Sequence, residues 1–588
     1  MNAHTYDFFT QFATTLNSGQ ARSVILAGHV HDLFFDGQYY VPLIPFLCQK
    51  TRADGILRIV YELNGPVRIL DGREQLRDAW VAWKIGVDAD AVFPTLARGA
   101  AGSNSAERRA AEFDQLLMDA IGNPTLALEL LRQMTICSRL ALARADLLIF
   151  IEAADLLLPA GNGDVSSLND AQLRRISVVH DWFSDPAFMN GTDSVCLVAE
   201  SRSLIQPRIA RLPQVADVDV PPPGVRERLH FIEQFTATAQ PQPRFWSSPA
   251  DFAALTAGLS LHALRQLLLS ATYADRPLAP ADVIDKVEAF IQAQIGEDVV
   301  EFKRPSHRLD KVVGFSRLKR FLRDELLPRF RAAGDKALTG AAVAGPIGGG
   351  KTFIFEALAA ELDMPVLVLK NIRSQWFGQT DVLFERLHRL LTALDRVVIF
   401  VDEADTQFGS LGSDAHETER RLTGKIQAMM SDTALRGRIF WLLMTARIHR
   451  LSPDLRRPGR VGDLIIPVLD PEGEDRREFI GWLLSGILPD VTAEVIDRID
   501  GLTAGYSAAE FSSLRATLKA KEPKSLDDVI AIIADQLPMA IGPTRRYQTL
   551  QALVNCTRRS LLPDPMVDEE ERERWSAELL RLEAQGIS

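Results

Sequence analysis

Through the second half of the chain a short, wholly apolar run is followed repeatedly by a longer stretch with apolar residues three or four apart. The runs are Ala341 to Ala344, Pro365 to Leu369, Val397 to Val401, Phe440 to Met444 and Leu464 to Pro467, and they predict five buried strands. Between them, residues such as Val382, Leu383, Leu387, Leu390 and Leu391 keep the period of amphipathic helices. Continuous apolar strands alternating with helices predict a covered parallel sheet, an α/β arrangement. After Pro471 the pattern turns helical, with Phe479, Ile480, Leu483 and Leu484 on one face, then Val495 to Ile499 and Glu510 to Leu518. A small helical lid is expected there.

The first half repeats this plan. LLIFIEAAD, Leu147 to Asp155, parallels VVIFVDEAD, Val397 to Asp405, at an offset of 250. LTAGLS, Leu255 to Ser260, parallels LTAGYS, Leu502 to Ser507, at 247, and SVCLVAESR, ending at Arg202, parallels IFWLLMTAR, ending at Arg447, at 245. Three segments in one order at a near-constant offset predict two tandem modules of one architecture. The expected division is an α/β domain over 1–223 with an insertion near 62–135, a helical lid over 224–294, a linker over 295–308, a second α/β domain over 309–470, its lid over 471–543, and a helical tail over 544–588. Ala97 to Ala111, with no large apolar residue, reads as a mobile loop in the insertion. The tail carries a charged run and then Trp575, Leu579, Leu580 and Leu582; it is either a solvated helix or one that docks a partner.

A chain of 588 residues exceeds what one core supports, and 47% apolar with 24% charged residues is a globular composition. The net charge of −11 disfavours a general nucleic-acid footprint, which needs a clustered excess of Lys and Arg. Cys48, Cys137, Cys196 and Cys556 stand far apart, so neither a disulfide framework nor a zinc site is expected. The first residues lack the basic and long apolar regions of a signal peptide, and the apolar runs are strand-length. A cytoplasmic protein without a membrane span is expected.

Against this background one loop carries chemistry. GPIGGGKT, Gly345 to Thr352, matches GxxxxGK[ST] between a predicted strand and a predicted helix, where the glycines Gly345, Gly348, Gly349 and Gly350, interrupted by Pro346 and Ile347, let backbone N–H groups converge on phosphates. Proline itself has no N–H to give. Lys351 would reach the β- and γ-phosphates of ATP and the Thr352 hydroxyl would ligate Mg2+. Asp402 and Glu403 end the Val397 run, 51 and 52 residues after Lys351, at the carboxyl edge of the sheet. Asp402 would hold magnesium through water, and Glu403 would orient and polarise the attacking water.

With these motifs in place, the second half resembles the AAA clade of AAA+ ATPases from Leu309 to about Ala520. LDKVVGF, Leu309 to Phe315, is similar to the segment that meets adenine, which implies that role for Val313 and Gly314. LSPDLRRPGR, Leu451 to Arg460, resembles the region whose two arginines act on the neighbouring subunit's nucleotide, here Arg457 and Arg460. GYSAAEF, Gly505 to Phe511, resembles the lid segment that puts Ala508 and Ala509 near ribose and base. SQWFGQT, Ser374 to Thr380, resembles the first pore loop of protein-translocating rings, with Trp376, Phe377 and Gly378 at the channel. The resemblance implies a homo-oligomer, a hexamer, acting on a protein substrate or complex, with nucleic acid and membrane not expected as partners.

The chain also departs from that pattern. The family's sensor asparagine falls at Ala446, with Thr445 the nearest polar substitute, and its usual GPPGTGKT is altered at Ile347 and Gly349. In the first half Gly28 aligns with Gly345, and the lysine and threonine positions fall on Phe34 and Phe35. Glu152 and Ala153 stand where the second half has Asp402 and Glu403, so a degenerate module that binds no nucleotide productively is expected. His29 and His31 could suggest a metal, but without a third ligand nearby they read as packed or exposed histidines. The functions compatible with this pattern are an ATP-driven protein remodeller, a nucleotide-controlled assembly switch or scaffold with slow hydrolysis, and a DNA-acting motor.

Overall fold

The computed structural model describes the chain except residues 1–5, 91–103, 140–144, 162–166, 275, 296–298, 304–306, 333–335, 363, 365, 371–379, 395, 409–416, 434, 458, 537–540 and 588. The chain divides into two compact units, 1–290 with 381–393, and 291–380 with 394–588.

The first unit is built on eight strands, β1 (Ser23–Gly28), β2 (Leu33–Phe35), β3 (Tyr40–Pro42), β4 (Ile56–Tyr61), β5 (Val67–Ile69), β6 (Asp146–Ile151), β7 (Ser194–Ala199) and β8 (Val215–Val220). Six of them form one sheet in the order β5-β4-β6-β7-β1-β8, parallel except for β5 at the edge, and β2 and β3 form a separate hairpin. Successive side chains on a strand point to opposite faces. Accordingly Ile25, Leu147, Ile149, Val195 and Leu197 enter one apolar cluster, while Val24, Leu26, Leu148, Phe150 and Cys196 enter another. The sheet is therefore covered on both sides, which is why its strands read as unbroken apolar runs rather than alternating ones.

The second unit holds β9 (Val300–Lys303), β10 (Gly340–Ala344), β11 (Val366–Leu369), β12 (Val397–Val401), β13 (Ile439–Thr445) and β14 (Ile465–Pro467). Their order, β14-β10-β13-β12-β11-β9, matches that of the first sheet strand for strand, again with an antiparallel edge. The tandem α/β plan is thus present in both halves. The two edge strands have different origins: β5 follows the strand it pairs with, whereas β9 precedes the whole sheet and lies within the stretch expected to be a linker. Helices Gly473–Leu484, Ala493–Leu502 and Ala508–Lys521 follow, and Phe479, Ile480, Leu483, Ile499, Phe511 and Leu514 bury their shared face.

Two expectations change. The described part of the supposed mobile loop, 104–111, is helical, within Asn104–Asp119. That helix is fixed by Phe113 and Leu117, just beyond the small-residue stretch, with Phe113 wholly buried and its ring 5.4 Å from that of Trp80. The tail also spends its apolar face internally, because Trp575 and Leu579 of helix Glu569–Ala584 pack with Tyr547, Leu550 and Leu553 of helix Gly542–Val554. Among the described residues no helix is long and apolar enough to cross a membrane.

Candidate functional site

At the carboxyl end of β10 the chain turns through Gly345 to Gly350 into helix Lys351–Leu362. A side chain at Gly345 would collide with the Val468 carbonyl, and Gly350 sits at φ +85°, where a Cβ is disfavoured. The loop wraps one side of a cavity of about 880 Å³, a size suited to a nucleotide. Val313, Ile347, Gly348, Gly349, Gly350, Lys351, Thr352, Asp402, Glu403, Ala508 and Ala509 all line it, so eleven residues singled out from the sequence come together.

The electrostatics follow from burial and spacing. Lys351 Nζ donates to the Gly345 and Pro346 carbonyls at 3.0 and 2.9 Å. Burial pushes its ammonium below the ordinary lysine range, against the pull of Asp402, Asp405 and Asp470. A polyanion in the cavity would favour the charged form. Thr352 Oγ1 lies 3.4 Å from Asp402 Oδ2, which pairs two hard oxygen donors. That set fits Mg2+, which keeps several waters and takes few protein ligands; among the described residues no cluster of three or more His, Cys, Asp or Glu suggests another ion. If bound there, the ion would supply charge neutralisation, while Thr352 and Asp402 would orient its inner waters.

Glu403 has φ 47°, a left-handed conformation that costs a non-glycine residue about 1–3 kcal/mol. Ala153, its counterpart in the first unit, has φ 49° and no carboxylate. The strained corner is therefore a property of the strand-to-helix turn, and only in the second unit does it carry an acid. Asp405, two residues further on, accepts from Thr445 Oγ1 at 2.6 Å and pairs with Arg447 at 2.8 Å. The Thr445 hydroxyl thus donates its proton to Asp405 and accepts from the Arg447 N–H.

Other predicted residues fall outside the cavity lining. The Gly314 N–H donates to Glu478 at 3.1 Å, and Gly345 and Pro346 contribute through the carbonyls that Lys351 meets. Arg457 pairs with Asp454 at 3.3 Å and is largely exposed, while Arg460 donates to Ser431 Oγ and the Asp454 carbonyl, both at 2.9 Å. Neither lines the cavity of its own chain. Trp376, Phe377 and Gly378 lie outside the described residues.

Sequence reasoning missed Asp405, Arg447, Phe479, Trp482, Thr544 and Gln548, which also line the cavity. Phe479 reads as lid core from its period, Trp482 lies off that apolar face, and Thr544 and Gln548 sit in a segment assigned to the tail. Glu510 does not line the cavity but steadies the lid beside it. It closes a capping box with Ser507, and although burial raises its carboxyl, the Ser507 donors and Arg545 outweigh that and hold it below the usual range.

The corresponding turn in the first unit keeps the close approach of its glycine to a neighbouring strand and builds the rest differently. A side chain at Gly28 would run into the Val220 carbonyl, as at Gly345 with Val468. The chain then forms the β2–β3 hairpin instead of a phosphate-loop helix, with Phe34 buried. Asp32, 4% exposed, accepts from the N–H groups of Leu261 and His262 at 2.9 and 3.1 Å, at the start of helix Leu261–Tyr273. Its own carboxylate thereby satisfies the lid helix's first donors. Asp32→Ala is expected to lower the stability of this unit by about 1–3 kcal/mol, read from a urea melt with tryptophan fluorescence, because the Leu261 and His262 N–H groups lose their acceptor.

A phosphate loop, paired acids at the sheet edge and a helical lid together define a P-loop nucleoside-triphosphatase module. Comparison with known families narrows the class: "ATPase family associated with various cellular activities (AAA)" matches residues 341–467, "AAA+ chaperone, N-terminal Rossmann-like domain" residues 2–221, and "AAA+ chaperone, second helical domain" residues 226–296. The chain belongs to the AAA ATPases, with two tandem modules of which the second carries the AAA ATPase domain. Relatives include a Cell division cycle protein 48 homolog of Archaeoglobus fulgidus, 26% identical over 41% of this chain and 34% of the relative. Spastin of Dictyostelium discoideum is 26% identical over 42% of this chain and 39% of its own. ATPase family gene 2 protein of Schizosaccharomyces pombe is 26% identical over 34% and 26%. Each match spans well under half of the relative's own length.

Proposed function

We propose that the chain is an ATP-driven motor that remodels, unfolds or disassembles protein substrates through the pore of a homo-hexameric ring, hydrolysing ATP with Mg2+ only in its second module. The observation that carries this reading is the convergence of Lys351, Thr352, Asp402 and Glu403 on one cavity closed by Ala508 and Ala509 of the lid. Restricting hydrolysis to the second module rests on Phe34, Phe35 and Ala153 standing where the lysine, threonine and catalytic acid would be. The matching family descriptions name a chaperone, which supports protein as the substrate class. Trp376 and Phe377 would grip a polypeptide through its apolar and backbone surface. The compartment we infer is the cytoplasm, in keeping with four unpaired thiols.

Trp376→Ala tests the pore. With a fluorescent protein bearing an unstructured tail as substrate, unfolding is expected to fall at least tenfold while ATP turnover stays within about threefold; undiminished unfolding would refute pore traction. A second reading, a nucleotide-controlled assembly switch with slow hydrolysis, is favoured by Ala446 at the sensor position and by the engagement of Thr445 with Asp405. The DNA-acting motor is left the weakest by the net charge of −11.

A further inference from the structure

The helix Gly542–Val554 reaches the phosphate loop. Gln548, 2% exposed, accepts the Ile347 N–H at 3.0 Å through Oε1, and Thr544 stands one turn earlier on the same cavity wall. The AAA segment that the loop resembles carries proline at the Ile347 position, and proline has no N–H. Ile347 brings a donor to this place, and Gln548 is the acceptor that meets it. Three residues before Gln548, on the same face of the helix, Arg545 spreads its guanidinium between two carboxylates. Nη2 donates to Asp470 at 2.5 Å, just past β14, and Nη1 to Glu510 at 3.1 Å, in the first turn of the lid helix Ala508–Lys521. That turn touches the phosphate loop directly, since the Ala509 N–H donates to the Gly348 carbonyl at 3.0 Å.

The opposite side of the helix is anchored. Tyr547 donates to Glu583 at 2.8 Å, and Arg546 forms a forked pair with Glu578 at 2.7 and 2.8 Å, both partners lying on helix Glu569–Ala584. A segment that reads from sequence as a separate tail thus holds the phosphate loop with one residue and joins lid to sheet domain with another.

We propose that Gln548 is a positioning residue for the nucleotide, fixing the phosphate loop through the Ile347 N–H, with Arg545 holding the lid at the matching angle. The helix Gly542–Val554 is then part of the nucleotide site. This rests on the reading of the cavity as the ATP site.

The test compares wild type, Gln548→Met, Ile347→Pro and the double variant as full chains, reading the Kd of a fluorescent ATP analogue with Mg2+ together with KM and kcat. Met keeps the length of Gln and removes the acceptor, so Kd and KM are expected to rise about tenfold with kcat changing less than about threefold. With proline at 347 there is no N–H to satisfy, so Gln548→Met is expected to add less than about twofold in that background. Wild-type Kd and KM in Gln548→Met, or an equal loss with and without proline at 347, would overturn the inference while leaving the ATP site standing. Failure of the wild type to bind the analogue would sink the site and the inference together. Should Gln548→Met melt well below wild type, Gln548→Ala in both backgrounds gives the same coupling measurement.

Discussion

Glu403→Gln is expected to retain ATP with magnesium and to lower kcat by about 10²–10⁴-fold, the contribution of a general base. The substitution keeps the length of the side chain and the left-handed backbone at φ 47°, so the corner of the sheet is undisturbed. Binding groups are spared as well, because Lys351, Thr352 and Asp402 occupy other parts of the cavity wall. What is lost is the negative charge that would polarise water for in-line attack. Wild-type turnover is expected to start from a lower level than a site with a sensor amide would give, since the Ala446 side chain has no polar atom and Thr445 is held by Asp405. Phosphate release in a single turnover, beside equilibrium binding of a fluorescent nucleotide, separates the two effects. A Glu403→Gln protein that turns over as fast as wild type would favour the assembly-switch reading.

How far such a site can be read from sequence depends on how local its signals are. The phosphate loop was legible because its glycines and Lys351 are consecutive and sit between a strand and a helix, and the acids because a continuous apolar strand ends on them. The duplicated sheet was legible for the same reason: fully covered strands such as Ser23–Gly28 and Val397–Val401 leave unbroken apolar runs. The edge strand Val300–Lys303 left no such mark, since Glu301 and Lys303 give it a polar side and it pairs with only one neighbour. Helix Asn104–Asp119 was obscured because its first turns carry small and charged residues and its apolar anchors come later. Gln548 was invisible for a different reason. Its partner, the Ile347 N–H, lies about two hundred positions away, and no periodicity joins a backbone donor to a distant amide.

Arg457→Ala and Arg460→Ala are each expected to lower kcat by about 10³–10⁵-fold, the range for an arginine that stabilises charge on a transferring phosphoryl group. Folding cannot account for a loss of that size. The pair between Arg457 and Asp454 is exposed, and such pairs contribute about 0–1 kcal/mol. Nor can a direct contact within the chain account for it, because neither arginine lines the cavity beside Lys351. A loss of that size would then have to cross between copies, which is tested by mixing two inactive proteins, Arg457→Ala and Lys351→Ala. In a ring with head-to-tail interfaces, each site takes its phosphate loop from one copy and its arginines from the next. Random equal mixing then restores about one interface in four, so activity should appear in the mixture that neither parent has. It should also fall as the protein is diluted below the concentration at which rings assemble. If the mixture stays as inactive as its parents while both proteins still co-assemble, the arginines do not act across the interface, and hydrolysis is not coupled to the ring in this way.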